Sequence, residues 1–99
     1  MTVFEMLKEL GIPVAYGSFT EEVKAPFLVY YFDEPDIVHA DNINYYKNRK
    51  YVVEYYFTKK DLELEDKLED LLTRYDVAFT QSGDIWIDSE NIWVNYIYF

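Results

Sequence analysis

Residues 51–57 constrain the fold more than any other segment, because they carry apolar side chains on both faces of a strand. Successive side chains in a strand point to opposite faces, so this segment divides into two sets. One face carries Tyr51, Val53, Tyr55 and Phe57. The other carries Val52, Glu54 and Tyr56. We predict a strand over residues 45–58 that buries the first face, while the mixed second face is partly exposed or contacts a partner.

A second apolar run and one amphipathic helix supply most of the remaining core. Residues 27–32 are apolar on both faces and follow Pro26, which predicts a strand buried on both sides. Asp61 is a suitable N-cap for a helix over residues 61–74. Apolar side chains recur along this helix at steps of three or four residues: Leu64, Leu68, Leu71, Leu72 and Tyr75. The stripe predicts a helix that packs by its leucines and shows water an acidic face.

The N-terminal segment predicts a shorter helix over residues 2–10. Thr2 and Glu5 have the spacing of a capping box, in which each satisfies a backbone amide of the other. Gly11 ends the helix because it accepts the left-handed conformation of a C-cap. The polar segment that follows, residues 12–24, is predicted to be a connector.

The remaining segments are assigned from alternating apolar residues and turn residues. They are a turn at 33–36, a strand or loop at 37–44, a strand at 77–82, a bulge or bend at 82–84, extended structure at 85–87, a turn at 88–91 and a last strand at 92–99. The chain is therefore predicted to be one α+β domain over residues 1–99. We expect a mostly antiparallel four-stranded sheet with two helices packed on one face, in the order α-β-β-α-β-β.

Charge and aromatic content bear on partners. The 99 residues include nineteen acidic and nine basic ones, for a net charge of −10, which disfavours nucleic-acid backbones and anionic membranes. Aromatic residues make up 20% of the chain, with eleven Tyr. A thin core cannot hold so many rings, and Tyr and Trp are enriched at protein interfaces. The absence of cysteine and the charged N-terminal segment favour a cytoplasmic location, without a signal peptide or a membrane span.

Residues suited to catalysis or metal binding are few. The single histidine, His39, has Asp33, Asp36 and Asp41 nearby in the sequence, and such a set can bind zinc or manganese. We favour a solvated turn for this segment, because its spacing matches no established metal loop. No cysteine and no serine motif supplies a nucleophile. We therefore expect no catalytic, cofactor-binding or metal-binding residue and no cofactor, and keep a metal-assisted enzyme or small-ligand-binding domain as an alternative.

A basic cluster around the central strand offers a further alternative. The strand is bracketed by Lys47, Arg49, Lys50, Lys59 and Lys60, which are interleaved with Tyr45, Tyr46 and Tyr51, as in a small single-strand-binding patch. At a net charge of −10, we favour strand-end charges that keep a sheet edge from aggregating. A nucleic-acid or regulatory adaptor stays open as an alternative function.

Several strings in the chain carry a resemblance to a known family. They are Gly11-Ile12-Pro13-Val14-Ala15-Tyr16-Gly17-Ser18-Phe19, Ala25-Pro26-Phe27-Leu28-Val29-Tyr30-Tyr31, Asp41-Asn42, Tyr55-Tyr56-Phe57-Thr58-Lys59-Lys60-Asp61 and Leu64-Glu65-Asp66-Lys67-Leu68-Glu69. Together they span nearly the whole chain, which resembles small phage and prophage proteins of Gram-positive hosts encoded among head–tail joining and tail genes. The order of elements is similar to that of tail-terminator, or tail-completion, proteins.

The resemblance implies a minor structural protein of the virion with an α+β fold. Such proteins often form rings of six subunits that cap the tail tube where it meets the head, and the family has no catalytic residues to transfer. The implied partners are other copies of the chain, as a homo-oligomer or hexameric ring, and phage tail-tube or head-connector proteins. The implied location is the host cytoplasm during assembly and then the neck or tail of the virion.

We expect such contacts to use aromatic and basic residues around the second strand and near the C-terminus. The interface candidates are Tyr45, Tyr46, Arg49, Lys50, Tyr56, Trp86 and Trp93. Tyr30 and Tyr98 belong to the same surplus of aromatic residues. The basic cluster and the acidic helix of residues 61–74 also suggest electrostatic pairing between neighbouring copies.

Overall fold

The computed structural model describes residues 2–33 and 50–99, which form an α+β fold. Its elements are α1 (Val3–Lys8), β1 (Val14–Tyr16), β2 (Phe27–Asp33), β3 (Lys50–Phe57), α2 (Leu62–Arg74), β4 (Thr80–Ile87), a 3₁₀ turn (Asp88–Glu90) and β5 (Ile92–Tyr98). The predicted turn at 33–36 and the undecided segment at 37–44 lie outside the described residues, apart from the backbone of Asp33. The same holds for the part of the predicted strand before Lys50.

Local hydrogen bonds fix where both helices begin. The Thr2 Oγ1 accepts from the Glu5 amide at 3.1 Å, and Glu5 Oε1 accepts from the Thr2 amide at 3.3 Å, which confirms the capping box. Asp61 caps α2, since its Oδ1 accepts from the Leu64 amide at 3.1 Å. Helix α1 is shorter than predicted because the chain turns before Gly11, which has a φ of 86°. Within the described residues, no helix is long and apolar enough to cross a membrane.

Among the described residues the sheet has five strands in the order β1-β2-β3-β5-β4, so the prediction of four strands is wrong. The additional strand, β1, lies in the segment predicted to be a connector and runs parallel to β2, which makes the sheet mixed. Backbone bonds outside the three-residue strand extend the pairing, from Leu28 N to Pro13 O at 2.9 Å and from Gly17 N to Tyr30 O at 2.8 Å. The other neighbouring strands pair antiparallel.

The C-terminal half follows the predicted order with shifted bounds. Strand β4 begins at Thr80, not at residue 77, and it runs to Ile87 without a break. The predicted bulge is confirmed by a register shift between Gln81 and Asp84, where Gly83 has a φ of 85°. Such a bulge bends an edge strand and leaves a residue unpaired.

One core joins both helices to one face of the sheet. Strand β3 contributes alternate residues to this core, as its sequence predicts. The buried members are Met6, Leu7, Leu28, Tyr30, Val53, Tyr55, Phe57, Leu68, Leu71, Leu72 and Ile97. Tyr30, one of the surplus aromatic residues considered for the interface, is 8% exposed and belongs to the core. We call this side of the sheet the helix face and the opposite side the helix-free face.

Leu72→Ala is expected to lower the free energy of unfolding by about 2–5 kcal/mol, because it opens a cavity at a fully buried site. Leu72 has an exposed fraction of 0%. The matched control is Leu62→Ala on the same helix, where Leu62 is 65% exposed and the expected change is within about 0.5 kcal/mol. Urea unfolding followed by circular dichroism measures both. Equal losses for the two variants would contradict the assignment of the buried side of α2.

Candidate interaction surfaces

The structure places four of the seven predicted interface residues. Lys50 is exposed at the start of β3, and Tyr56 is half-buried on the helix-free face. Trp86 is 43% exposed on β4, beside the half-buried Trp93 of β5. The other three, Tyr45, Tyr46 and Arg49, lie outside the described residues.

The helix-free face is built from rows of residues that pair across neighbouring strands. One row runs Phe27, Tyr56, Val94 and Ile85, the next runs Val29, Glu54 and Tyr96, and a third runs Tyr31, Val52, Tyr98 and Thr80. The valines are buried, with exposed fractions of 7% or less, whereas Tyr98 and Ile85 are 43% and 44% exposed. Glu54 is the one charged residue in these rows. This side of the sheet is therefore aromatic and aliphatic, although neither described helix packs on it.

Glu54 is held on this apolar face by its neighbour on the same strand. The Tyr56 hydroxyl donates to Glu54 Oε1 at 2.7 Å. Burial raises the pKa of Tyr56, and the hydrogen bond to Glu54 raises that pKa further. Since the tyrosine stays protonated, it remains a hydrogen-bond donor to the carboxylate at neutral pH.

A cleft opens where the segment of residues 17–23 passes over the helix-free face. Its cavity volume is about 450 Å³. The apolar lining is Phe19, Val23, Phe27, Val29 and Ile92, with Tyr56 beside it. The ring of Phe27 stacks on Tyr56 at 4.9 Å and meets Phe19 edge-to-face at 5.5 Å. The carboxylates of Glu21, Glu22, Glu54 and Glu90 also line this cavity, and we call it the acidic cleft.

The acidic cleft was not predicted from the sequence. Residues 12–24 were expected to be a polar connector, and Glu21 and Glu22 fit that description. The available signal was the pair of apolar residues that flank them, Phe19 and Val23, which a solvated loop does not require. Both are half-buried against the sheet.

The outer edge of β4 forms a second surface. No strand in the described ranges 2–33 and 50–99 pairs with this edge. Seven of its eight residues are exposed. The Trp86 ring lies 5.2 Å from Trp93, and its Nε1 donates to Asp88 Oδ1 at 3.3 Å. An exposed edge with a large aromatic residue is a site where another chain can add by strand pairing or packing.

Strand β4 is tied to α2 by a polar cluster on the helix face. Lys60 Nζ donates to Glu65 Oε1 and to Asp84 Oδ2, each at 2.9 Å, and Asn95 Nδ2 donates to Asp84 Oδ1 at 3.1 Å. Partial burial by itself raises the pKa of Asp84, but the hydrogen bonds from Lys60 and Asn95 outweigh it and hold that pKa below 3.8. Asp84 is therefore ionised at neutral pH and acts as an acceptor that fastens the bulge of β4.

Tyr55 lies in register with Asn95 and Asp84 across the three strands. It is 2% exposed, and its hydroxyl has no hydrogen-bond partner among the residues that the structure describes. Burial raises the pKa of Tyr55 to about 12, with a smaller contribution from Glu65. The side chain is therefore neutral at physiological pH and contributes mainly its ring, which stacks on Phe57 at 5.1 Å.

The residues of the two alternative sites fall mostly outside the described ranges. The proposed metal-binding residues Asp36, His39 and Asp41 are not described, and neither is the side chain of Asp33. Of the proposed nucleic-acid patch, Lys50, Tyr51, Lys59 and Lys60 are described, and Lys60 is engaged in ion pairs with Glu65 and Asp84. Among residues 2–33 and 50–99, no group of three His, Asp or Glu side chains converges as a metal site requires.

Tyr55→Phe is expected to leave the free energy of unfolding unchanged or to raise it by about 1 kcal/mol, because it removes an unpartnered hydroxyl from the core. The matched control on the adjacent residue, Tyr56→Phe, removes a hydrogen bond to a carboxylate and is expected to cost about 1–2 kcal/mol. Urea unfolding of both variants measures the difference. A loss larger than about 1 kcal/mol for Tyr55→Phe would show that its hydroxyl is hydrogen-bonded in solution.

Asp84→Asn is expected to lower the free energy of unfolding by about 1 kcal/mol at neutral pH, because it removes an ion pair with Lys60. A lowered pKa stabilises the fold above the ordinary value of 3.8, and the stabilisation disappears as the pH falls through the folded-state pKa. The difference between wild type and Asp84→Asn should therefore shrink in acid. Urea titrations over a pH series measure it, with the exposed Asp66→Asn as control. A difference that persists in acid contradicts the electrostatic role.

A functional proposal can rest on two features, the helix-free face with its acidic cleft and the outer edge of β4. No protein-family model, no curated protein sequence and no solved structure matches this chain.

Proposed function

We propose that this chain is a non-enzymatic structural subunit of a phage or prophage neck or tail, which assembles with itself and with tail or connector proteins. The observation that carries the proposal is the outer edge of β4, which pairs with no other strand in the described residues and where Trp86 and Ile85 are 43% and 44% exposed. Aromatic anchors of this kind dominate the energetics of protein interfaces. The resemblance in sequence supports the choice of a phage neck or tail as the assembly.

The chemistry of the β4 edge favours protein contact. Its one acidic residue, Asp84, is paired at 2.9 Å with Lys60, which Glu65 shares, so the strand carries a single and partly compensated charge. The protein as a whole has a net charge of −10, and two copies therefore repel each other over most of their surfaces. The edge of β4 is a place where copies can approach with a small electrostatic cost, and physiological salt screens the remaining repulsion over about 8 Å.

A ring of copies sets a further condition on this interface. Rings form when one surface of a subunit binds a different surface of the next and the rotation closes, whereas a surface that binds itself gives a dimer. In our proposal β4 of one copy packs on a different surface of its neighbour, and a ring of six ends the tail tube. The subunit is made in the host cytoplasm and becomes part of the virion. A capsid or tail-tube gene beside this one would support the assignment independently.

Sedimentation velocity at micromolar concentration and physiological salt tests self-assembly, alone and with the tail-tube protein of the same phage. We expect an assembly larger than a dimer in at least one of these conditions. Trp86→Arg should weaken it by at least about 30-fold, equivalent to about 2 kcal/mol, because it removes an aromatic anchor from the interface centre. Association should strengthen with salt, because salt screens the repulsion between acidic copies.

The matched control is Phe4→Arg, which places the same cation at an exposed aromatic residue on α1, away from β4. It should assemble like the wild type. A strict monomer that also fails to bind the tail-tube and connector proteins would refute the proposed function. A dimer abolished by Trp86→Arg would instead show that β4 binds its own copy, which excludes the ring.

A further inference from the structure

We infer that the acidic cleft binds a segment of a basic partner protein, and that lysine or arginine side chains of this segment enter it along their apolar stems. The inference concerns a different surface from the β4 edge and a different partner from another copy of the chain. It therefore goes beyond the proposed function and does not depend on self-assembly.

The lining of the cleft combines two properties that one kind of ligand satisfies. Its floor is apolar and aromatic, with the stacked rings of Phe27 and Tyr56 at 4.9 Å. Around this floor stand four carboxylates, and no basic side chain from residues 2–33 or 50–99 lines the cavity. The volume of about 450 Å³ lies within the roughly 300–1,000 Å³ that is usual for ligand clefts. A ligand that fills it needs apolar surface for the floor and positive charge for the rim.

The four carboxylates are not compensated from within the described parts of the chain. The ion pairs among residues 2–33 and 50–99 join Lys60 to Glu65 and Asp84, and Arg74 to Glu9. None involves Glu21, Glu22, Glu54 or Glu90. A concave apolar surface rimmed by charges of one sign concentrates the electric field and attracts the opposite charge. The cleft is thus the described feature with the clearest complementarity to a cation.

The spacing of these carboxylates favours an extended cation over a metal ion. A bound metal needs several oxygen ligands within about 2.0–2.6 Å of one point. No three acidic side chains in the described residues converge in that way. Successive basic side chains of a peptide can instead meet the carboxylates one by one. Lysine and arginine also fit the floor, because their stems bury on apolar surface while their charged ends remain near the rim, and a cation is attracted to an aromatic face.

Net charge argues for a different protein as the source of this segment. A second copy of the chain also carries a charge of −10, so its approach to the cleft is repelled overall. Two of the described cations, Lys60 and Arg74, are already engaged in ion pairs of their own. A basic partner is attracted both by the whole protein and by the cleft. The electrostatic complementarity therefore favours rapid binding of such a partner at low salt.

Isothermal titration calorimetry with a short blocked peptide that alternates leucine with lysine tests the inference. We expect saturable binding that weakens as salt is added. The triple variant Glu21→Gln, Glu22→Gln and Glu90→Gln should lower the affinity at least about tenfold, since each exposed pair contributes roughly 0.5 kcal/mol. Glu54 is left intact because it accepts the hydrogen bond from Tyr56. All three replaced residues are exposed, so the fold should be retained, as thermal unfolding checks.

The matched control variant removes the same number of charges from the exposed face of α2: Glu63→Gln, Asp66→Asn and Asp70→Asn. It should change the affinity by no more than about twofold. Two control peptides separate the contributions of the ligand, one with glutamate for lysine and one with serine for leucine, and both should bind at least about tenfold more weakly. Equal losses for the cleft and α2 variants would show general attraction to an acidic protein and overturn the inference, as would equal binding of the serine peptide.

These experiments can contradict the proposal for the β4 edge and the inference about the acidic cleft independently of each other. Trp86→Arg should bind the leucine–lysine peptide like the wild type, because Trp86 does not line the cleft. The cleft variant should still self-assemble. If the cleft variant instead lost self-assembly and the wild type bound no peptide, the cleft would be a contact between copies, which contradicts a basic partner.

Discussion

Strand β3 is hydrogen-bonded on both sides, to β2 and to β5, and its two faces have different requirements. On the helix face, Val53, Tyr55 and Phe57 must be covered, and both helices supply leucine for that purpose. Because both described helices lie on this face, neither covers the opposite face of the same strand. Because the strand period is two, the apolar residues on that opposite face cannot be withdrawn into the core. The apolar surface that stays uncovered on the helix-free face therefore follows from the sequence of β3.

A polar cluster attaches the exposed edge strand β4 to the core. Its members are Lys60, Glu65, Asp84 and Asn95. Asp84 follows the bulge of β4, where the register of the ladder shifts. Lys60 and Asn95 both donate to its carboxylate, at 2.9 and 3.1 Å, and thereby fix this residue against the strand beside it and the start of α2. The bulge bends the strand, and the ion pair holds it in place. The edge is consequently well positioned although most of its side chains are exposed.

Local patterns predicted the elements whose formation depends mainly on local sequence. Helix α2 has its own cap and a complete apolar stripe, and β3 alternates over its length. Strand β1 was missed because it is three residues long and forms only where Val14 meets Leu28, a parallel partner distant in sequence. The late start of β4 has a related cause. Val77 and Phe79 pack against the core from a loop, so their apolar character does not indicate a strand. The wall of the acidic cleft likewise depends on tertiary contacts such as Phe19 against Phe27.

The distribution of charge favours different partners for the two proposed surfaces. An acidic protein approaches a copy of itself most easily where its charge is lowest, and on β4 the one carboxylate is paired with Lys60. It approaches a basic protein most easily where its charge is concentrated, as in the acidic cleft. Trp86 lies on the helix face and the cleft lies on the helix-free face, and they share no lining residue. A subunit that joined copies through β4 would therefore retain the cleft for a basic partner, so that added salt would strengthen one contact and weaken the other.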